Sequence, residues 1–415
     1  MRTETGSTAL PEPVDALDPA PLDAADPLAP FRRRFAIPDP GLVYLDGNSL
    51  GRPPATALER ISTAAGPEWA GELVRGWDHW IDLPLRLGDA LASFVLGASP
   101  GTVAVTDSTT VNLYRLASAA LAERPFRGAI VAARDDFPTD RYLLQGLAAE
   151  HGLSIRWLRA DPAEGLATRE IVAAIDEDVA LVLLSLVNYR TAAIVDLEAV
   201  EAAARNAGAH VLWDLSHAAG AIPVELAARD VGLAVGCTYK YLHGGPGAPA
   251  FLYVAPRLQE LLRPPIQGWF AQRDQFAMAP SFERAPGIAG WLVGTPPILA
   301  LAGVAAGIEV VADAGIDAIR AKSTALTGYA IELVDALLAP LGCALGSPRD
   351  PARRGGHVGV RHPRARELVA TLLERDVVTD FREPDVVRLG LSPITTSFAE
   401  VRAGVEALRE VLAPG

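Results

Sequence analysis

The run from Val179 to Leu186 is apolar at nearly every position, and no other stretch constrains the fold as strongly. It is strand-length, and it lacks the alternation of a half-exposed strand. A strand apolar on both sides must be covered on both sides, as in the parallel sheet of an α/β fold. Extended to Val187, the run is still too short to cross a bilayer. Similar runs recur at Thr102 to Thr106, Ala129 to Ala133, His210 to Asp214 and Val231 to Val235. Between them lie helical stretches, among them Glu170 to Ile175 and the Ala-rich Leu197 to Arg205. This alternation predicts a mainly parallel sheet with helices on both faces. A chain of 415 residues exceeds one typical core, so two lobes are expected.

Open α/β sheets bind ligands at the C-terminal ends of their strands. There the chain places one of its only two lysines, Lys240; the other is Lys322. Lys240 lies in the stretch Gly236-Cys237-Thr238-Tyr239-Lys240-Tyr241-Leu242-His243-Gly244-Gly245-Pro246-Gly247, directly after an apolar run. A chain that draws its positive charge almost wholly from Arg has little routine use for Lys. Arg stays protonated, whereas burial lowers the pKa of Lys and makes it a nucleophile. The plainer alternative is a snorkelling Lys at a strand terminus. Asp214 ends the preceding strand and opens the small-residue turn Leu215 to Gly220. Alone it would read as a turn or N-cap residue. Beside Lys240 it suits pyridoxal 5'-phosphate (PLP): the amine forms a Schiff base, and the carboxylate pairs with the pyridinium nitrogen.

Other candidates gather around this pair. The hydroxyls of Asp107-Ser108-Thr109-Thr110 open a helix and make either an anion site for the phosphate or a plain N-cap. Phe137, after the Ala129 to Ala133 strand, could stack on a flat ring, and Pro138 fixes that turn. Ser185 to Asn188 lies at a strand end. Gly47, Asn48 and Gly51 tolerate positive φ, giving an ordinary turn or a loop that approaches a ligand. Residues 55 to 97 read as helical, with Trp69, Trp77 and Trp80 as core aromatics or, with His79, a pocket wall. The irregular piece from Arg263 to Pro297 reads as functional or interfacial. A long helix follows, roughly Ile298 to Leu338, interrupted near Gly315. From Cys343 the pattern becomes a smaller α+β lobe. In it Arg388 stands in the apolar strand Val386 to Leu391 and needs a carboxylate, from a substrate or from an internal Asp or Glu.

The net charge of −13 argues against nucleic-acid or anionic-membrane partners. Two distant cysteines make neither a disulfide framework nor a metal-ligand spacing, so no metal is expected. They fit a reducing compartment, and Met1 to Thr5 lacks an apolar signal core, so a cytoplasmic protein is expected. Residues 1–25 read as a mobile tail and Asp26 to Phe35 as an Arg-bearing helix. No GxGxxG follows a strand, and no Walker-type phosphate loop is present.

A set of motifs now carries a resemblance. Tyr44-Leu45-Asp46-Gly47-Asn48-Ser49-Leu50-Gly51, Phe137-Pro138-Thr139-Asp140, Trp213-Asp214-Leu215-Ser216-His217, Gly236 to Gly247, Gly268-Trp269-Phe270 and Arg388-Leu389-Gly390-Leu391-Ser392-Pro393 occur in the order found in kynureninases. From about residue 27 onward the chain closely resembles that family. The resemblance implies an α/β fold of PLP-dependent fold type I (aspartate aminotransferase-like). A large domain with a mainly parallel seven-stranded sheet over residues 61–310 and a smaller α+β C-terminal domain over 311–415 would then be joined by an N-terminal segment, 26–60, packing on the small domain. It implies a homodimer with shared active sites and PLP-dependent hydrolysis of L-kynurenine or 3-hydroxykynurenine.

By the same resemblance Lys240 would hold PLP, Asp214 would pair with its ring nitrogen, and His217 would lie beside it. Phe137 would stack on the ring in the turn with Pro138, Thr139 and Asp140. Thr109, Thr110, Tyr239, Trp269 and Thr295 would surround the phosphate, the last two residues of that set reaching across from the partner subunit. Ser185 would lie on the phenolic side; Arg388, Ser49 and His79 would face the substrate, and Tyr239 would be a general acid/base. The chain departs from the family in a shorter segment around Trp77 to Trp80 and in Thr395, where members often carry Tyr. Both departures bear on which ring substituent is preferred. The rival readings are another PLP enzyme of the same fold, acting on a modified kynurenine or other amino acid, and a non-catalytic PLP-fold binding protein.

Overall fold

The computed structural model describes residues 17–413. Seven strands form the large sheet: β1 Val103–Val105, β2 Ala129–Ala133, β3 Ser154–Leu158, β4 Val179–Ser185, β5 His210–Asp214, β6 Leu233–Gly236 and β7 Phe251–Val254. Their spatial order is β1-β7-β6-β5-β4-β2-β3. Only β7 runs antiparallel to its neighbours; β2 to β6 pair in parallel. All residues of β4 are buried, as its unbroken apolar run requires. Val179, Val182 and Leu184 enter one core, and Ala180, Leu181 and Leu183 enter the other. Helices Leu197–Ala207 and Ile298–Ala314 cover the first face, and Thr109–Glu123 and Pro138–His151 cover the second. The sequence reading did not identify β3, an edge strand with Arg156 at its centre and mostly half-exposed side chains.

This sheet decides where chemistry can sit. Parallel pairing sets Ser185 beside Asp214, and Asp214 beside Val235, at the C-terminal ends of three adjacent strands. The loop after β6 then turns over that rim. Helix Ile298–Ala314 supports it from beneath through two glycines. A Cβ on Gly307 would meet the Leu242 carbonyl at 2.0 Å, and one on Gly303 the Gly244 carbonyl at 2.8 Å. Helix and loop therefore touch backbone to backbone.

The small lobe is a four-stranded antiparallel sheet ordered Asp380–Arg382, Val386–Gly390, His357–Arg361, Ala344–Leu345. Helices Ala365–Leu373 and Phe398–Leu412 complete its core. The latter opens with a capping box between Ser397 and Glu400. The long helix foreseen before it divides at Gly315 (φ 76) into Ile298–Ala314 and Ile316–Leu333. The helical stretch Ile316–Leu341 is long and apolar enough to cross a membrane, but half of its most apolar window is buried in the protein.

The N-terminal segment ties the lobes together. Leu28 and Phe35 enter the large-lobe core, whereas Leu45 enters that of the small lobe. Val43–Tyr44 pairs in parallel with Val377–Val378. The tail foreseen over residues 1–25 lies outside the described residues up to 16. Residues 17–25 depart from that expectation, because they are docked. Helix Ala20–Ala24 brings Asp23, whose carboxylate accepts from the Phe398 and Ala399 N–H groups at 2.8 and 3.0 Å. This caps the last helix and satisfies donors that would otherwise be free. The helix foreseen over Asp26 to Phe35 shrinks to a six-residue 3-10 helix, Ala29–Arg34.

Asp26 also pairs with Lys322 at 2.6 Å, both side chains being almost fully buried. Removing one partner strands the other charge. Lys322→Met is expected to destabilise the protein by about 3–5 kcal/mol, and adding Asp26→Leu should recover most of that loss. Urea unfolding of the three proteins checks this.

Candidate active site

The strand-end rim opens into a cavity of about 460 Å³, large enough for a PLP-sized ligand. Its walls include Phe137, Asp140, Ser185, Asp214, His217 and Lys240. Lys240 is held by backbone contacts. The Gly51 N–H donates to the Tyr239 carbonyl at 2.9 Å, and the His243 N–H donates to the Lys240 carbonyl at 3.0 Å. A Cβ on Gly51 would stand 2.3 Å from the Lys240 carbonyl oxygen. The glycine therefore allows the N-terminal loop to press on the lysine turn. Lys240 Nζ lies 3.3 Å from His217 Nε2 and 5.9 Å from the centroids of the Phe137 and Tyr239 rings. Burial lowers the Lys240 pKa and pushes His217 well below the usual imidazole range. A neutral imidazole thus faces an amine that gives up its proton more readily than a surface lysine.

Two carboxyl groups, Asp140 and Asp214, line the floor, and a third, Asp136, is bonded to Ser185 in its wall. Asp214 Oδ1 accepts from the Ser216 N–H at 2.8 Å. Asp136 Oδ2 accepts from the Ser185 N–H at 3.2 Å. Asp140 is buried and its Oδ2 has no partner. Burial raises Asp136 to about 7 and Asp140 well above the carboxylate range, each helped by the charge of Asp214. Such a floor suits a cationic or hydrogen-bond-donating ligand. The opposite end suits an anion. Helix Thr109–Glu123 begins there, with Ser108 capping the Val111 N–H at 3.3 Å and Thr109 and Thr110 at the wall. The loop before it is braced where Asp107 (φ 50) accepts from the fully buried Arg115 at 2.8 Å. An anion seat, an amine and a carboxyl floor in one cavity match the phosphate, aldehyde and ring nitrogen of PLP.

Arg388 lies deeper between the lobes and is almost fully buried. Nη1 donates to the Tyr189 carbonyl and Nη2 to Ser49 Oγ, both at 2.6 Å, and Nη2 also donates to Asp380 Oδ2 at 2.5 Å. Ser49 therefore reaches the arginine as expected, and the internal carboxylate that the sequence left open is Asp380.

The remaining candidates are placed as follows. Pro138 begins the helix behind Phe137, and Thr139 lines the cavity. Thr295 lines it within its own chain, while Trp269 does not; Trp269 is exposed and packs edge-on against Phe270 and Phe276. The structure does not bring His79 to the cavity: its exposed ring lies between Glu68 and Glu72 at 3.6 and 3.7 Å. Cys237 beside it, followed by burial, pushes the Tyr239 phenol upward, so it stays protonated. Thr395 is buried, and its carbonyl accepts from Arg32. Asp136, Tyr189 and Asp380 were missed. Only the adjacency of Asp136 to Phe137 offered a signal, since the other two are recruited through tertiary contacts. Among the described residues no group of His, Cys, Asp and Glu clusters as a metal ion requires.

A family model described as the kynureninase C-terminal domain matches residues 319–408. A kynureninase from Pseudomonas fluorescens is 44% identical over 399 residues, covering 94% of each chain. One from Burkholderia pseudomallei (strain K96243) is 43% identical over 398 residues, again covering 94% of each. Among solved structures, a mutant of the cystine C-S lyase C-DES with glycine covalently linked to its PLP cofactor superposes with a TM-score of 0.81 at 20% identity, covering 91% of this chain and 99% of that one. An apo cysteine desulfurase from Thermococcus onnurineus NA1 gives 0.78 at 18% identity, covering 97% and 99%. At such identities the structural likeness is one of fold: a mainly parallel α/β sheet, as the sequence predicts.

The raised Asp136 pKa sets a pH dependence. The unfolded carboxyl releases its proton near pH 4 and the folded one near 7, so between them the folded state binds more protons. Its contribution to stability therefore falls as pH rises through that window, by up to roughly 1.4 kcal/mol per unit. Asp136→Asn keeps the acceptor for Ser185 and removes the titration. The cofactor-free variant is expected to melt higher than the cofactor-free parent at pH 8 and to differ little at pH 4, as read by thermal denaturation.

Proposed function

The chain belongs to the kynureninase family, and from that premise we infer that it hydrolyses L-kynurenine to anthranilate and L-alanine, using PLP. The observation that carries this is the 44% identity across 94% of both chains. Lys240 and Asp214, which share one cavity, and the buried Arg388 support it as the amine, ring-nitrogen partner and carboxylate holder that the reaction would use. 3-Hydroxykynurenine is the second substrate in scope, because Thr395 and the Trp77 to Trp80 segment are the expected departures from the family pattern.

PLP, when bound, supplies an electron sink for the pair released as bonds at the substrate's Cα and Cβ break. Lys240 Nζ would hold it covalently, and Asp214 would keep a proton on its ring nitrogen. Phe137 would stack on the ring, with Pro138, Thr139 and Asp140 shaping that turn. Ser185 and His217 would flank it, and Thr109, Thr110 and Tyr239 would hold the phosphate. Arg388, with Ser49, would fix the substrate α-carboxylate and so aim Cα at Lys240. Freed as the substrate's own amino group takes its place on the cofactor, the amine of Lys240, its pKa lowered by burial, would take the Cα proton at Nζ. Water supplies the hydroxyl of the new aryl carboxylate and the proton that ends on Cβ of alanine. Tyr239, held protonated, is suited to deliver that proton from its Oη.

Trp269 would complete the phosphate site of a partner subunit in a homodimer, whereas Thr295 stands in the cavity of its own chain. Exposed apolar side chains along the same stretch, Trp269, Phe276 and Met278, support this assignment. His79 would face substrate only through such a neighbour. Residues 61–310 and 311–415 would act as the two domains that close on the substrate. The two free, buried cysteines suit a cytoplasmic setting.

The test is anthranilate fluorescence on adding L-kynurenine to the PLP-loaded protein. Asp214→Asn is expected to lower kcat on the order of 10²–10³-fold, the scale of losing one preorganised electrostatic group. Arg388→Lys should raise KM about 10–100-fold, as expected for lost charge-assisted hydrogen bonds. A cofactor-loaded protein that forms no anthranilate would overturn the reading.

A further inference from the structure

All three nitrogens of Arg388 are already engaged. Besides Tyr189, Ser49 and Asp380, Asp46 Oδ1 lies 3.7 Å from Nη2, and Asn48, with its amide turned so that oxygen faces the arginine, accepts from Nε at 2.9 Å. A substrate carboxylate cannot simply be added to this set. Arg388 and Arg382 are already balanced by Asp46 and Asp380. A third carboxylate in so buried a place would face uncompensated like charge.

The geometry identifies which ligand gives way. Asp380 stands directly opposite Arg388 in the antiparallel register, on the edge strand Asp380–Arg382, which pairs on one side only. Its Oδ2 is shared: Arg388 donates to it and so does Arg382, each at 2.5 Å, while Ser49 Oγ donates at 3.1 Å. Its Oδ1 is buried without a partner. Arg382 is more exposed than Arg388 and lies over the Tyr189 ring at 5.7 Å. Asp380 can therefore leave Arg388 without losing an arginine partner. The Tyr189 carbonyl, by contrast, is fixed backbone.

We propose that Asp380 is a specificity-determining residue: its carboxylate occupies the Arg388 seat and yields it to the substrate's α-carboxylate by turning to Arg382. A ligand held to the site by its amine as well can displace Asp380. A simple monocarboxylate, held by nothing else, competes poorly. Asp380 thus guards the seat against ordinary acids, aryl carboxylates included. The proposal rests on Arg388 being the carboxylate holder.

The experiment measures KM and kcat for L-kynurenine and the inhibition constant of benzoate, on PLP-loaded protein. Asp380→Asn is expected to lower KM several-fold, to lower the benzoate constant by about 10-fold or more, the scale of one charge-assisted contact, and to move kcat less than KM. Arg382→Gln, which removes the alternative partner, should move both constants upward. If Asp380 merely braces Arg388 from behind, Asp380→Asn will raise both constants, and the proposal fails. Should Asp380→Asn not fold, a fall or no change in both constants for Arg382→Gln also overturns it. Arg388→Lys, run alongside, separates the two levels. If it leaves KM unchanged, the reading of Arg388 itself is wrong. If it raises KM while Asp380→Asn does not lower it, only the role of Asp380 is.

Discussion

The structure depends on removing one amine from water. A lysine at a strand end is ordinary until the chain around it is packed tightly enough to strip its hydration. Here the packing is between backbones. Gly51 lets the N-terminal loop touch the Lys240 carbonyl, and Gly303 and Gly307 let a core helix touch the next turn from below. A methyl group at any of the three would push the loop away from its support. The result is a lysine whose pKa falls because its ammonium form has lost solvent.

The rest of the cavity answers that amine with charge arranged in layers. Asp140 and Asp214 share its cavity, Asp136 is bonded to the Ser185 N–H, and burial leaves Asp136 and Asp140 reluctant to ionise. A helix N-terminus closes the opposite end. Between the lobes a second layer of two arginines and two aspartates is balanced internally. Buried polar groups of this density are costly without a ligand. That cost favours a cation-bearing, anion-tailed cofactor in the first layer, whereas the second is already balanced by its own aspartates.

Much of this was legible in the sequence, and for physical reasons. The unbroken apolar run of β4 required cover on both faces, and that fixed a parallel sheet. The shortage of lysine drew attention to Lys240, and the strand end at Asp214 offered a second candidate, which lines the same cavity. The motif order supplied the family. What was not legible came from contacts distant in sequence. Asp380 meets Arg388 only through strand pairing, and Tyr189 contributes a carbonyl, which no side-chain pattern reveals. Strand β3 was hidden because an edge strand need not be apolar. Asp23 looked like tail composition and Asp26 like the start of an Arg-bearing helix, yet the first caps a helix and the second pairs with a buried lysine.

The central claim is that Lys240 carries the cofactor, and the presence of only two lysines makes it directly testable. Borohydride reduction of the PLP-loaded protein, followed by peptide mass mapping, reads which lysine is joined to the cofactor. The account predicts a single pyridoxyl adduct on the peptide containing Lys240. An adduct on Lys322, or no adduct on a protein saturated with PLP, would contradict it.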